Sequence, residues 1–174
     1  MVNFSKIDSS LIPKKNKLRI LLFLLGRSII FFPLIKIFQN FLLPNAKNSS
    51  VLPGIFSYYG NVISLNAMLS NTMFIDYGEV SIGENTVFGF DCIVITSRHS
   101  KDDFKKIEIA PVVIGANCYF GPRCIIFPGV VIGDGCTIAA RSVVMHSIKS
   151  GQLVAGVPGR VIASEYTHLN SKHY

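Results

Sequence analysis

A chain of 174 residues, 49% of them hydrophobic, has the ordinary length of one folded domain and a composition that excludes a disordered chain. Lys and Arg number 17 against 10 Asp and Glu, a net charge of +7, but no zinc finger, aromatic RNA-binding strand pair or recognition-helix pattern accompanies the excess, so no nucleic-acid partner is expected. The four cysteines lack the paired CxxC spacing of structural zinc, and as buried free thiols they suit a reducing, cytoplasmic compartment.

Residues 1 to 17 are polar and basic, and the stretch from Leu18 to Leu43, LRILLFLLGRSIIFFPLIKIFQNFLL, is strongly apolar. Arg19, Arg27 and Lys36 interrupt it and Pro33 divides it, so two short helices are expected rather than one spanning helix, and no small-residue cleavage site marks a signal peptide. Two compatible roles follow for residues 1 to 45. The segment covers one end of the folded core, or it lies flat on the inner leaflet as a peripheral anchor with its cations at the headgroups. Residues 45 to 55, NAKNSSVLPGI, read as a linker with a turn at Pro53-Gly54.

The pattern then changes. A bulky apolar residue returns every six positions at Ile114, Phe120, Ile126, Ile132, Ile138 and Val144, and two places before each stands Val112, Cys118, Cys124, Val130, Cys136 or Ser142. Helices repeat at three and four and strands at two, so a period of six implies short strands and turns wound into a coil, each turn burying its side chains on the next. Upstream, Ile82, Phe88 and Val94 follow the same rule, with Val80, Thr86 and Cys92 before them. Ile63, Leu69 and Ile75 are expected to extend it, with Asn61, Ala67 and Met73 before them and one residue added at the Asp76-Tyr77-Gly78 corner.

Residues 97 to 111, SRHSKDDFKKIEIAP, break the period between two regular tracts and are expected to be a loop displayed from the stack. After Val144 the repeat fades into an extended LVAGVPGRVI, and residues 165 to 174 read as a polar tail.

The six-residue repeat, the VITSRH segment, the PVVIG restart and the closing AGVPGRVI together resemble the hexapeptide-repeat acyltransferases, in particular the galactoside, maltose and nodulation acetyltransferases and the O-acetyltransferases of surface-polysaccharide synthesis. The resemblance covers residues 58 to 164. It implies an all-β fold, a left-handed parallel β-helix over 56 to 164, assembled as a homotrimer with active sites between subunits. It also implies acetyl-CoA as co-substrate, no metal, and a saccharide or lipid-linked saccharide acceptor. The hydrophobic N-terminus is similar to that of the polysaccharide-cluster members and departs from the soluble galactoside and maltose enzymes. The reading is therefore an acetyl-CoA-dependent O-acetyltransferase working on a cell-surface polysaccharide or its lipid-linked precursor, at the inner face of the membrane. N-acetylation of a nucleotide-linked aminosugar, serine acetylation, and an inactive β-helix scaffold are the alternatives.

His99 is the expected general base. It directly follows the strand centred on Val94, and a neutral imidazole removes a proton from a hydroxyl near pH 7. The resemblance places Asn71 and Asp76 at the acceptor, with a corner-capping role as the alternative for Asp76. It places Tyr119, Gly121, Ala139, Ala140 and Pro158 along the pantetheine arm, and Arg141, His146 and Arg160 toward the phosphates. Where the family has a backbone donor for the thioester oxygen, this chain has Pro122, which lacks an N–H, so either another amide serves, that of Gly121 being one candidate, or the donor register differs. An acyl-cysteine route is disfavoured because all four thiols fall in the inward register.

Overall fold

A computed structural model describes residues 5–8, 40–52 and 55–166, the first of these as backbone only. The helices expected over 18 to 43 lie outside the described residues except for residues 40 to 42, which are helical and lead into the buried Leu42 and Leu43.

The chain winds as a left-handed parallel β-helix with three flat faces, each contributing about one short strand per coil. The first face stacks Asn45–Lys47, Val62–Leu65, Val80–Ile82, Val112–Ile114 and Val131–Ile132. The second stacks Ser50–Val51, Met68–Ser70, Val87–Phe88, Tyr119–Phe120, Thr137–Ile138 and Leu153–Ala155, and ends with Arg160–Ala163 turned back antiparallel. The third stacks Phe56–Ser57, Met73–Ile75, Ile93–Ile95, Ile125–Ile126 and Val143–Val144.

Every inward position expected between Val80 and Val144 is buried, and the column on the second face is aromatic: the Phe88 and Phe120 rings stack at 4.4 Å and 4°. Such a pair contributes roughly 0.5–1.5 kcal/mol beyond the area it removes from water. The corners are as repetitive as the strands. Between the first and second faces the chain passes through left-handed φ at Asn48, Asn66, Asn85, Asn117, Gly135 and Gly151, the residue types that tolerate it.

Three expectations need correction. Residues 45 to 55 are not a linker: strands Asn45–Lys47 and Ser50–Val51 pair in parallel with the next coil and begin the stack. In that next coil the register differs from the period-six extrapolation. Val62, Ser64, Ala67, Leu69, Thr72 and Phe74 point inward, whereas Ile63 is 44% exposed and Met73 and Ile75 are half-buried. The coil keeps its length, since Val62 pairs with Val80, but its first two corners are short and the surplus collects around Asp76. Third, residues 97 to 111 are not an irregular loop but contain two paired strands. Ser97–His99 and Lys106–Ile109 form an antiparallel hairpin, and Ser5–Asp8 pairs along its far edge.

Candidate functional site

His99 stands on the hairpin that leaves the third face after Ile95 and returns to the first face at Val112. Thr96 carbonyl accepts from Ala110 N–H at 2.9 Å and closes the base, and Ser100 N–H donates to Lys106 carbonyl at 2.9 Å nearer the tip. Arg98 Nε donates to the buried Glu108 carboxylate at 3.0 Å, tying the two strands side to side. The exposed His99 ring then has its Nδ1 at 2.7 Å from the Phe104 carbonyl oxygen. A carbonyl only accepts, so Nδ1 carries the hydrogen and Nε2 presents a lone pair to the outside.

Asp76 caps the corner, the alternative that the sequence left open for it. Its carboxylate is fully buried: Oδ2 accepts from Ser57 Oγ at 2.7 Å and from Asn61 N–H at 2.6 Å, and Oδ1 accepts from the N–H groups of Tyr58 at 2.6 Å and Tyr59 at 3.0 Å. Two donors meet each of its carboxylate oxygens. The turn it clamps gathers Tyr58, Tyr59 and Tyr77 into one aromatic cluster, where burial above all pushes the Tyr59 hydroxyl up to about 12. Asn71 is likewise committed: its amide donates to Asp91 Oδ1 at 2.7 Å and its carbonyl accepts from Asp91 N–H at 2.9 Å, pinning Asp91 at φ 58°.

A groove of about 620 Å³ runs over the outside of the second face. Tyr119, Gly121, Ala139 and Ala140, four of the residues expected to hold the cofactor, line it, together with Pro122. Thr137 lines it too from within the repeat, and Leu153, Ile162 and Tyr166, which were not expected, reach it from a coil and a returning strand after the repeat has ended. The tail is therefore not wholly free: Tyr166 N–H donates to Gly151 carbonyl at 2.6 Å. Gly121 is required by stacking, since a Cβ there would sit 2.7 Å from Ala140 Cα.

The remaining cofactor candidates do not join this groove. His146 and Arg160 border a smaller recess of about 190 Å³ at the end of the stack. Arg141 sits exposed at the corner between the second and third faces, at φ 62°, and Pro158 is exposed in the turn before the last strand. The Gly121 amide cannot serve as the oxyanion donor, because it donates to Ile138 carbonyl at 2.7 Å in the coil ladder. The neighbouring Ala140 amide has no acceptor among the described residues.

All four cysteines have 0% exposure, and their thiols donate to corner carbonyls, as Cys124 Sγ does to Gly121 O at 3.0 Å. The adjacent Cys92 thiol and burial push the Cys124 thiol well above its ordinary value, and Cys136 and burial do the same to Cys118. Raised and buried in this way, Cys118 and Cys124 are poor nucleophiles, while their partners Cys136 and Cys92 are shifted down by the same thiol–thiol contacts but are equally buried. Among the described residues no three His, Cys, Asp or Glu side chains converge as metal ligands.

Residues 111–145 match the model of the hexapeptide repeat of succinyl-transferase. Galactoside O-acetyltransferase of Escherichia coli is 32% identical over 136 residues, covering 74% of this chain and 66% of that protein. The structure of a maltose O-acetyltransferase from Clostridium difficile superposes with a TM-score of 0.77 at 26% identity, covering 94% and 92% of the two chains. The chain belongs to the hexapeptide-repeat acyltransferase family.

Within the family, a galactoside acetyltransferase structure in complex with coenzyme A is 28% identical, with a TM-score of 0.59 over 74% of this chain and 67% of that one. An Escherichia coli protein whose name assigns it, provisionally, to lipopolysaccharide biosynthesis as an O-acetyl transferase is 29% identical over 102 residues, 51% of this chain. This chain spans 52% of that relative and 66% of the galactoside enzyme, under two thirds of either.

Proposed function

We propose that this chain transfers an acetyl group from acetyl-CoA to a hydroxyl of a sugar in a cell-surface polysaccharide or its lipid-linked precursor. The observation that carries the reading is the His99–Phe104 bond at 2.7 Å, which fixes the tautomer a general base needs. His99 Nε2 takes the proton of the acceptor hydroxyl as that oxygen bonds to the acyl carbon, the carbon–sulfur bond breaks, and the proton passes to the leaving thiolate. The Ala140 amide is the candidate donor to the thioester oxygen, a role that Pro122 and Gly121 cannot take. The relatives named for galactoside, maltose and lipopolysaccharide O-acetylation support a saccharide acceptor.

The active enzyme is a homotrimer with its sites between subunits. The hairpin leaves the prism at the edge between the third and first faces, and the groove lies on the second face, opposite that edge. His99 of one subunit therefore serves the groove of another. The hydrophobic segment before residue 40, with its interspersed cations, holds the enzyme at the inner face of the membrane. Replacing Leu21, Phe23, Ile30 and Phe32 with serine is expected to move the protein from the membrane to the soluble fraction, and unchanged sedimentation would remove the anchor from the reading.

The activity itself is tested by following CoA release with acetyl-CoA and a panel of lipid-linked, nucleotide-linked and free oligosaccharides. Release that depends on a saccharide is expected. No product with any acceptor, together with no CoA binding, would overturn the proposal.

A further inference from the structure

The hairpin tip carries a second feature that the base-catalysed step does not use. Phe104 is 77% exposed, the most exposed large hydrophobic side chain among the described residues. A single exposed apolar side chain is ordinary on its own account. Its position is what carries weight. The Phe104 carbonyl accepts from His99 Nδ1, so one residue's backbone orients the base while its side chain stands outside beside it, with the phenyl and imidazole centroids 6.5 Å apart and tilted 45°. The phenyl face carries negative quadrupolar charge, and the C–H face of a pyranose ring complements it. A sugar with one hydroxyl on Nε2 can lay that face on the phenyl ring, because a single pyranose spans the separation.

The charges around the tip narrow the ligand further. Lys106 Nζ lies 3.5 Å from Asp103 Oδ2 and is partly neutralised. Lys101 and Lys105, on either side of Phe104, are exposed and have no carboxylate partner among the described residues.

We infer that the hairpin tip is an acceptor subsite in which Phe104 stacks against the sugar ring and Lys101 and Lys105 receive an anionic group, carboxylate or phosphate, carried by the acceptor. The inference rests on the proposed acetyl transfer for its place in the reaction, but binding at the tip is measurable without it.

The chain contains no tryptophan, so Phe104→Trp installs a single reporter at the subsite. Its emission is to be titrated with a uronic-acid oligosaccharide, a sugar phosphate, a neutral oligosaccharide, and vesicles of anionic phospholipid. The expected result is a saturable shift with saccharides, with at least one of the two anionic sugars about threefold or more tighter than the neutral one at low salt, a preference lost when Lys101→Gln and Lys105→Gln are added to the reporter variant. The carboxylate and phosphate arms then tell which anionic group is preferred. In parallel, Phe104→Ala is expected to raise the acceptor KM about tenfold while leaving the acetyl-CoA KM unchanged.

Indole emission from the Phe104→Trp variant that stays silent to every saccharide would overturn the subsite. A shift with vesicles alone would assign the tip to a membrane surface, and a loss of oligomer in Phe104→Ala would assign it to a subunit contact; either overturns the inference as well. If the parent chain transfers no acetyl group but the indole still reports saccharide, the proposed activity falls and the binding site stands.

Discussion

At the scale of single residues, two side chains that sit one coil apart divide into chemistry and architecture. His99 is exposed, held through Nδ1, and free at Nε2. Its replacement by alanine is expected to lower acetyl transfer by about 10²-fold or more while CoA binding and assembly persist, as steady-state turnover and CoA titration would show. Unchanged turnover would remove it from the mechanism. Asp76 is the opposite case, with four donors converging on a fully buried carboxylate. An asparagine there would turn its NH₂ against N–H or O–H donors whichever way the amide is flipped. Asp76→Asn is therefore expected to cost about 3 kcal/mol of stability in urea unfolding and to leave the acceptor KM of the folded fraction unchanged. A raised KM without loss of stability would restore it to the acceptor site. The sequence could suggest either role for Asp76 but not decide between them, because its partners at Ser57, Tyr58, Tyr59 and Asn61 come from the preceding coil, 15 to 19 residues upstream.

At the scale of elements, legibility follows how the inward slots are filled. From Val80 to Val144 each slot holds an aliphatic, aromatic or compact residue at a constant interval, and the fold can be read directly. Between Asn45 and Ile75 the inward positions include Ser49, Ser64, Ala67 and Thr72, while Ile63 faces out, so hydrophobicity misreports the register by one residue in places. Neighbouring coils supply the order there, with Ser64 held against Ser49 at 2.9 Å and Phe74 packed edge-on to Phe88 at 6.3 Å. The groove was half legible for a related reason. Tyr119 to Pro122 and Ala139 to Ala140 repeat in the sequence, whereas Leu153, Ile162 and Tyr166 arrive through parallel and antiparallel pairing after the repeat has ended. Coil-to-coil contact also sets the tolerance of the corner glycine. Gly121→Ala is expected to cost about 1–3 kcal/mol, because the new Cβ meets Ala140 backbone rather than a yielding side chain. Thermal unfolding would measure that cost, and an unchanged melting temperature would show that the coils can separate at this corner.

At the scale of the whole molecule, the three-faced prism makes a prediction that neither site alone makes. His99 stands at one edge and the groove covers the opposite face, so a chain bringing His99 to its own groove would need contact across the core that Phe74, Phe88 and Phe120 fill. The proposed trimer removes the difficulty if the hairpin of each subunit is set against the groove of the next. Two variants that are each inactive should then complement: His99→Ala, which keeps the groove, and Ala140→Trp, which fills it. In trimers formed by refolding equal amounts together, a site is intact when the Ala140→Trp chain supplies His99 and the His99→Ala chain supplies the groove, which restores about a quarter of the parent activity for random assembly. Mixing the two already assembled trimers should restore almost none until subunits exchange. Were His99 and the groove used within one chain, no mixture of these variants would regain activity, and that result would overturn the shared site.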